Sequence, residues 1–394
     1  MSRLLNARPA EKTADQARLT FLDGIRGWGA LLVLFFHFIV CFLDLLAPEL
    51  NFNPTTDLQN GNYQHLIYGI FFRFFTDGRL AVLVFFVLSG YALSVSHFNL
   101  RRNTLALAAA SRYFRLMIPI LCTALLTYVL LKTGLIFNAE AAASSAKYSL
   151  WLGSFYKFDP SLVRVLTFAF YDVFFRYQVE TSYNSSLWTM SIELIGSFFI
   201  YGFLALFRKT TDVQWKLALL IAMVFFEAAP LYACFVMGYL IAELNERFKT
   251  RSRPACFDLV LLGLFTAAAV LSTSARFRGD DRITCLIATC LVASATFSTS
   301  LRAVFSSGVS RFLGRISFPL YLIQIPVICS LSSYLLIKLP LLGVAPRTAI
   351  AVNFSMTLIA CVLLSSLLLP VDRFSTYASR RIGSMLLKAA PPGG

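Results

Sequence analysis

The chain has 394 residues, 58% of them hydrophobic and only 14% charged, with a mean hydropathy of +0.70. A soluble domain carries about a quarter of its residues as charges, so these numbers argue against a water-soluble globule. The 38 Phe and 16 Tyr argue equally against disorder or a collagen-like repeat. The formal charge of +15 comes from basic residues set between apolar runs, the pattern of a polytopic membrane protein anchored at an anionic leaflet. No nucleic-acid partner is expected, because no basic face with interleaved exposed aromatics is present.

Residues 1–20 read as a cytoplasmic N-terminal tail. No cleavable signal peptide is expected, because the chain stays polar through Arg18 and the apolar run that follows is too long for a signal core. Apolar stretches near 25–47, 80–96, 116–136, 185–207, 215–229, 231–244, 257–274, 283–300, 316–337 and 348–369 predict an all-α transmembrane bundle of about ten helices. The fifth and sixth are short and meet at Pro230, which leaves open two short tilted helices or one kinked hairpin. With the N-terminus inside, 23 of the 35 Lys and Arg fall on inner segments, so both termini are expected in the cytoplasm. Residues 21–370 then form one transmembrane domain and residues 371–394 a cytoplasmic C-terminal tail. The outer loops 48–77 and 138–184 are longer than a connection needs, and the second contains an amphipathic segment at 163–177. Lids over a site and interfacial anchors are the two readings of such loops.

The eight cysteines are scattered through or beside apolar runs with no Cys-x-x-Cys, and read as small hydrophobes. The three histidines, His37, His65 and His97, show no ligand spacing, so no metal is expected.

Ionisable groups at membrane depth are costly and mark candidate sites. Arg26 and His37 are eleven residues apart, within about 20° of three full helical turns, so they share a face with the imidazole about 16 Å further along. Asp23 stands three residues before Arg26, within reach of an ion pair. His37 is either a hydrogen-bonded packing residue or a catalyst. Glu193, in the fourth stretch, enters from outside and reaches about the same depth as His37, some ~12 Å below the outer surface. Two readings stand side by side: a carboxylate that orients a general-base imidazole, or a structural ion pair between helices. Arg112 and Arg115 share a helix face at i and i+3 and can converge on a phosphate, or simply flank the membrane on its inner side. Asp44, seven residues beyond His37 on the same face, lines the outer mouth in this reading.

Five segments in order resemble the membrane-bound acyltransferase family 3. They are Phe-Leu-Asp-Gly-Ile-Arg-Gly at 21–27 with His37 beyond, Phe-Phe-Val-Leu-Ser-Gly-Tyr at 85–91, and the Arg112-x-x-Arg115 pair. Leu-Trp-Thr-Met-Ser-Ile-Glu at 187–193 and Phe-Leu-Gly-Arg-Ile-Ser-Phe-Pro-Leu-Tyr-Leu-Ile-Gln at 312–324 complete the set. The resemblance implies an integral membrane O-acyltransferase. It would take an acyl group, usually acetyl, from cytoplasmic acyl-CoA and place it on a hydroxyl of an extracytoplasmic glycan or glycoconjugate. It assigns His37 as catalytic, as base or transient acyl carrier, with Arg26 assisting, while the matching depth sets Glu193 beside His37 as its orienting partner. Arg112, Arg115, Arg26 and Ser89 fall to the acyl-CoA donor, and Asp44, Trp188, Tyr321 and Gln324 to the acceptor. Membrane lipids, the glycan and a separate extracytoplasmic acyl-acceptor protein are the implied partners, and a bacterial inner membrane the implied location. Gln324 departs from the pattern, since many members carry histidine there, and Leu194 stands where a second acidic residue is usual. A secondary transporter or flippase is the alternative, since polar groups at mid-depth suit it as well, although no repeat halves are visible.

Overall fold

The computed structural model describes residues 9–46, 69, 73–95, 102–143, 149–207, 211–248, 254–274, 276–277 and 279–389. Among them no strand occurs. Eleven helices of 17 to 38 residues carry the fold: α1 Pro9–Leu46, α2 Gly78–Val95, α3 Arg102–Lys132, α4 Thr189–Phe207, α5 Thr211–Ala228, α6 Pro230–Arg247, α7 Ala255–Ser272, α8 Asp281–Phe297, α9 Gly308–Val327, α10 Pro346–Leu367 and α11 Leu369–Ala389. All ten predicted stretches are helical. The break at Pro230 makes two helices: only Ala229 separates them, and the proline takes the first position of α6, where its missing N–H costs nothing.

Six described stretches are long and apolar enough to cross a membrane: Thr20–Phe42, Gly78–Val95, Thr104–Lys132, Ser185–Phe207, Gly308–Leu341 and Pro346–Lys388. The pair Asp281–Phe297 and Thr299–Phe305, bent by 96°, makes a seventh if taken as one broken span. This is fewer than the ten predicted. Two of the others, α5 and α6, are 18 residues long and carry charge in their own turns: Lys216 and Glu227 in α5, Glu243, Glu246 and Arg247 in α6. The chain is an integral, multi-pass membrane protein.

Residues 371–394, expected as a tail, are helical through α11 to Ala389, and α11 packs along α3. Ser375 donates its hydroxyl to the Arg115 carbonyl at 3.3 Å, and Gly383 leaves room for Ser111. Its apolar residues repeat among Arg373, Arg380, Arg381 and Lys388, and it continues the apolar stretch Pro346–Lys388 that α10 begins.

Two compact units divide the chain. The first comprises Met1–Leu31, Arg79–Phe98 and Phe207–Ser317. Its core holds Phe21 edge-on to Tyr91 and Phe86 stacked on Phe235, and Asn245 donates to the Tyr91 hydroxyl at 2.9 Å. At Gly90 and Gly238 the backbones of α2 and α6 touch: a Cβ at either would collide with the carbonyl oxygen of Phe235 or Val87. Small residues at such crossings substitute for a hydrophobic driving force that lipid does not provide. Arg79 grips Asp281 with two hydrogen bonds of 2.8 and 2.6 Å. The Cys234 and Cys285 thiols are buried, free and in contact at 3.2 Å.

The second unit comprises Leu32–Gly78, Asn99–Leu206 and Phe318–Gly394. Here α9 contains Pro319 and Pro326 and passes through a π-helical turn, Ile328–Ser332, into the helix Ser333–Leu341. Proline and the π turn release backbone carbonyls that cannot stay unpaired in an apolar interior. They are taken up locally: Ser330 donates to Pro326 O at 2.6 Å, Ser333 to Ile328 O at 2.8 Å, and the Phe137 amide to Cys329 O at 2.8 Å. Asn353 of α10 donates to Ser332 O at 3.0 Å and ties α10 to the same turn.

Candidate functional site

His37 lies on the part of α1 that belongs to the second unit and is 8% exposed. Its ring stacks on Trp151, with centroids 5.7 Å apart and planes 20° from parallel. The side chain of Gln324, from α9, is a polar neighbour of the ring, but the ring's Nδ1 and the amide's Oε1 have no hydrogen-bond partner among the described residues. Gln324 is fully buried, and its amide nitrogen donates to the Tyr321 carbonyl one turn back at 3.2 Å. Tyr321 donates its own hydroxyl to the Ser186 carbonyl and lies 2.8 Å from the Thr189 hydroxyl. A polar chain therefore runs from the start of α4 through Tyr321 to Gln324.

The start of α4 is built for this contact. A 3-10 turn, Ser185–Trp188, precedes the helix and is capped by Asn184, whose side chain accepts from the Ser186 amide at 3.1 Å and the Ser186 hydroxyl at 2.7 Å. The Asn184 amide then donates to Leu322 O at 2.7 Å, which docks the turn onto α9. Trp188 closes the turn and is half-buried.

Trp151 sits on the short helix Ser149–Leu152 within the long loop that follows α3. The helix Asn138–Ala143 packs beside it, and buried Asn138 donates to Leu152 O at 2.9 Å and Phe155 O at 3.2 Å. Further on, Tyr156 donates to Tyr183 O at 3.3 Å and Tyr177 to Ser185 O at 2.9 Å. Burial pushes the Tyr177 phenol up to about 12, so it remains a neutral donor at physiological pH. Within the loop Trp151 lies against His37, while Leu162, Val163, Phe170, Tyr171 and Phe175 stand exposed in and beside the amphipathic segment. The stack also restrains the imidazole plane. Trp151→Ala is expected to lower kcat by about tenfold, the value of one lost aromatic pair, with Trp151→Phe retaining most of the rate. Steady-state acyl transfer by the two variants measures it.

Glu193 is a correction to the sequence reading. Its carboxylate takes the Arg112 guanidinium, both side chains being 12% exposed, and Arg112 also donates to Ser197 Oγ at 3.0 Å. The pair ties α3 to α4, and the group found beside His37 is Gln324. Arg115, one turn on, is exposed, and the Tyr201 hydroxyl lies within electrostatic reach of Arg112, Arg115 and Glu193.

In the first unit, Arg26 pairs with Asp23 at 2.9 Å, as the spacing predicts, and Ser89 is half-buried on α2. Asp44 falls on α1, but its side chain lies outside the described residues, as do His65, His97 and most of the loop 48–77. Of the candidate residues, the structure brings together His37, Gln324 and Tyr321 in one cluster, and Arg112, Glu193 and Arg115 in a second. Trp151 and Asn184, and the contacts of Ser186 and Thr189, were not foreseen from the sequence. The Asn-Ser-Ser run before an apolar helix is a capping signal that points to Asn184. Trp151 has no such signal, since its contact is made across 114 residues of chain.

The family model described as an acyltransferase domain, acyltransferase family 3, matches residues 19–366. An O-acetyltransferase, PaAT-1 of Phomopsis amygdali, is 24% identical over 378 residues, covering 79% of this chain and 72% of that protein. No solved structure matches.

Proposed function

The chain belongs to acyltransferase family 3 and is an O-acyltransferase, and from that premise we propose that it moves an acetyl group from cytoplasmic acetyl-CoA to a hydroxyl of an extracytoplasmic glycan or glycoconjugate. The observation that carries the chemistry is the buried imidazole of His37, stacked on Trp151. A general base needs a fixed ring in a site from which bulk water is kept out. His37 takes the acceptor hydroxyl proton as that oxygen attacks the thioester carbonyl. The carbon–sulfur bond breaks, the sulfur leaves as thiolate, and the imidazolium returns the proton to it. Tyr321 belongs to the polar chain that ends at Gln324, and Trp188 stands at the turn that Tyr321 holds, which places both on the acceptor side in this reading.

The exposed Arg115 suits the phosphates of the donor, because a guanidinium offers planar paired donors to phosphate oxygens. Arg112 has its charge answered by Glu193 and acts here by aligning α3 with α4. For Arg26 and Ser89 the donor-side role rests on the family resemblance alone. A thioester on a long pantetheine arm enters the bundle while its phosphates stay at the surface, so no charge crosses hydrocarbon. Membrane lipids, the glycan and a separate extracytoplasmic acyl-acceptor protein are the proposed partners, in a bacterial inner membrane.

Membrane vesicles given acetyl-CoA labelled in the acetyl group test the proposal. Label on an extracytoplasmic glycan, absent from vesicles without the protein, supports it. Movement of a polar substrate across the vesicle membrane with no acyl donor present, and no label transferred, would replace it with a transporter.

A further inference from the structure

We propose that Cys234 and Cys285 are a disulfide site, and that the bond clasps α6 to α8 at the extracytoplasmic end of the first unit. The two residues stand 51 positions apart in the chain, yet their sulfurs lie 3.2 Å from each other. Both side chains are fully buried, on helices that pack together. A disulfide is about 2.05 Å long, so a small turn of the two side chains brings the sulfurs to bonding distance.

The helices set this meeting. Cys234 comes four residues after Pro230, which opens α6, and Cys285 four residues after Asp281, which opens α8. At 1.5 Å per residue both lie about 6 Å inside their helices, at matching depth. The far end of α6 carries Arg247, and Lys249, Arg251 and Arg253 follow in the sequence. The positive-inside rule puts that end in the cytoplasm and the thiol end on the other side. Disulfides persist in extracytoplasmic compartments and are rare in the cytosol, so contact and compartment point independently to the same bond. This goes beyond the reading of the cysteines as small hydrophobes.

The place also has a use. The first turn of α8 is a meeting point: Asp281 takes Arg79 of α2 through hydrogen bonds of 2.8 and 2.6 Å, and Arg282 pairs with Glu227 of α5 at 2.8 Å. Both ion pairs are partly exposed, and such pairs are weak where water and salt screen them. A covalent bond one turn deeper is indifferent to salt, and it adds α6 to the helices fixed on α8. It also restricts the unfolded chain by closing a long loop.

The bond forms by exchange with the disulfide of an extracytoplasmic thiol oxidant. One cysteine attacks as thiolate and makes a mixed disulfide, and the other displaces the oxidant from it. Each cysteine gives up one proton and one electron, and the oxidant's disulfide takes up both pairs and leaves as two thiols. Because the thiols are buried in the folded unit, exchange precedes the closure of α6 on α8.

The test uses the full-length protein in its own membrane. Cells are quenched in trichloroacetic acid, which stops thiol oxidation during work-up, and the denatured protein is alkylated with N-ethylmaleimide before digestion. The expected product is a peptide pair joined through Cys234 and Cys285, two hydrogens lighter than its separate halves. The purified protein is expected to unfold several degrees lower when dithiothreitol is present during the thermal scan. Alkylation of both Cys234 and Cys285 in the quenched cells overturns the proposal. So does a bond from either one to another cysteine, or an unfolding temperature that dithiothreitol leaves unchanged. The wild-type chain is used throughout, so no misfolded variant intervenes, and no acyl transfer is measured, so the outcome is independent of the proposed function.

Discussion

His37→Gln is expected to reduce acyl transfer by about 10²- to 10⁴-fold, the contribution of a positioned general base. Glutamine fills much of the imidazole volume and stays polar, so the packing against Trp151 is retained as far as a substitution allows. What disappears is the ring nitrogen lone pair that would take the acceptor proton. The loss should therefore fall on kcat, with donor KM little changed and thermal unfolding in detergent shifted by no more than a few degrees. Labelled acetyl-CoA and a saturating acceptor give kcat directly. A His37→Gln protein with kcat within twofold of wild type removes the imidazole from the chemistry, whatever the structure around it.

The second large effect belongs to Arg112 and Glu193. Each is 12% exposed and each answers the other's charge. Truncating one leaves an uncompensated charge where water is scarce, at a cost of about 3–5 kcal/mol. Replacing both with apolar residues of similar size removes two desolvation penalties at once and is expected to be far milder. Arg112→Met and Glu193→Leu alone should lower the unfolding temperature sharply, and the double variant should recover most of it, a strongly non-additive cycle. Thermal unfolding of the four proteins measures the coupling. Acyl transfer by the double variant then separates the roles: retained activity makes Arg112 a structural anchor and leaves the donor phosphates to Arg115. Two single variants as stable as wild type would show that the pair is not closed in the membrane.

These residues also show how far a one-dimensional reading reaches. Arg26 and Asp23 met as their spacing required, because three residues along a helix fix that neighbour regardless of anything else. Glu193 was matched to His37 on depth alone, and depth is a single coordinate: two groups at one level can stand on opposite sides of a bundle. The rotation of α4 about its own axis, which points Glu193 and Ser197 at Arg112, follows from how the turn capped by Asn184 docks on α9. Helix α11 stayed hidden for a different reason. Its alternation of arginines with Phe374, Tyr377 and Met385 lowers the average hydropathy, although one face still packs on α3.

The chain by itself determined that this is an all-helical membrane protein and that its ten apolar stretches are helices. Composition, hydropathy and local spacing are properties of neighbours along the chain, so they are legible there. Only the tertiary structure decided which groups meet: Glu193 with Arg112, and a tryptophan from a distant loop laid on the imidazole. In an apolar interior each such group must find a partner, and which one it finds is set by the rotation and docking of whole helices, information that no local window contains.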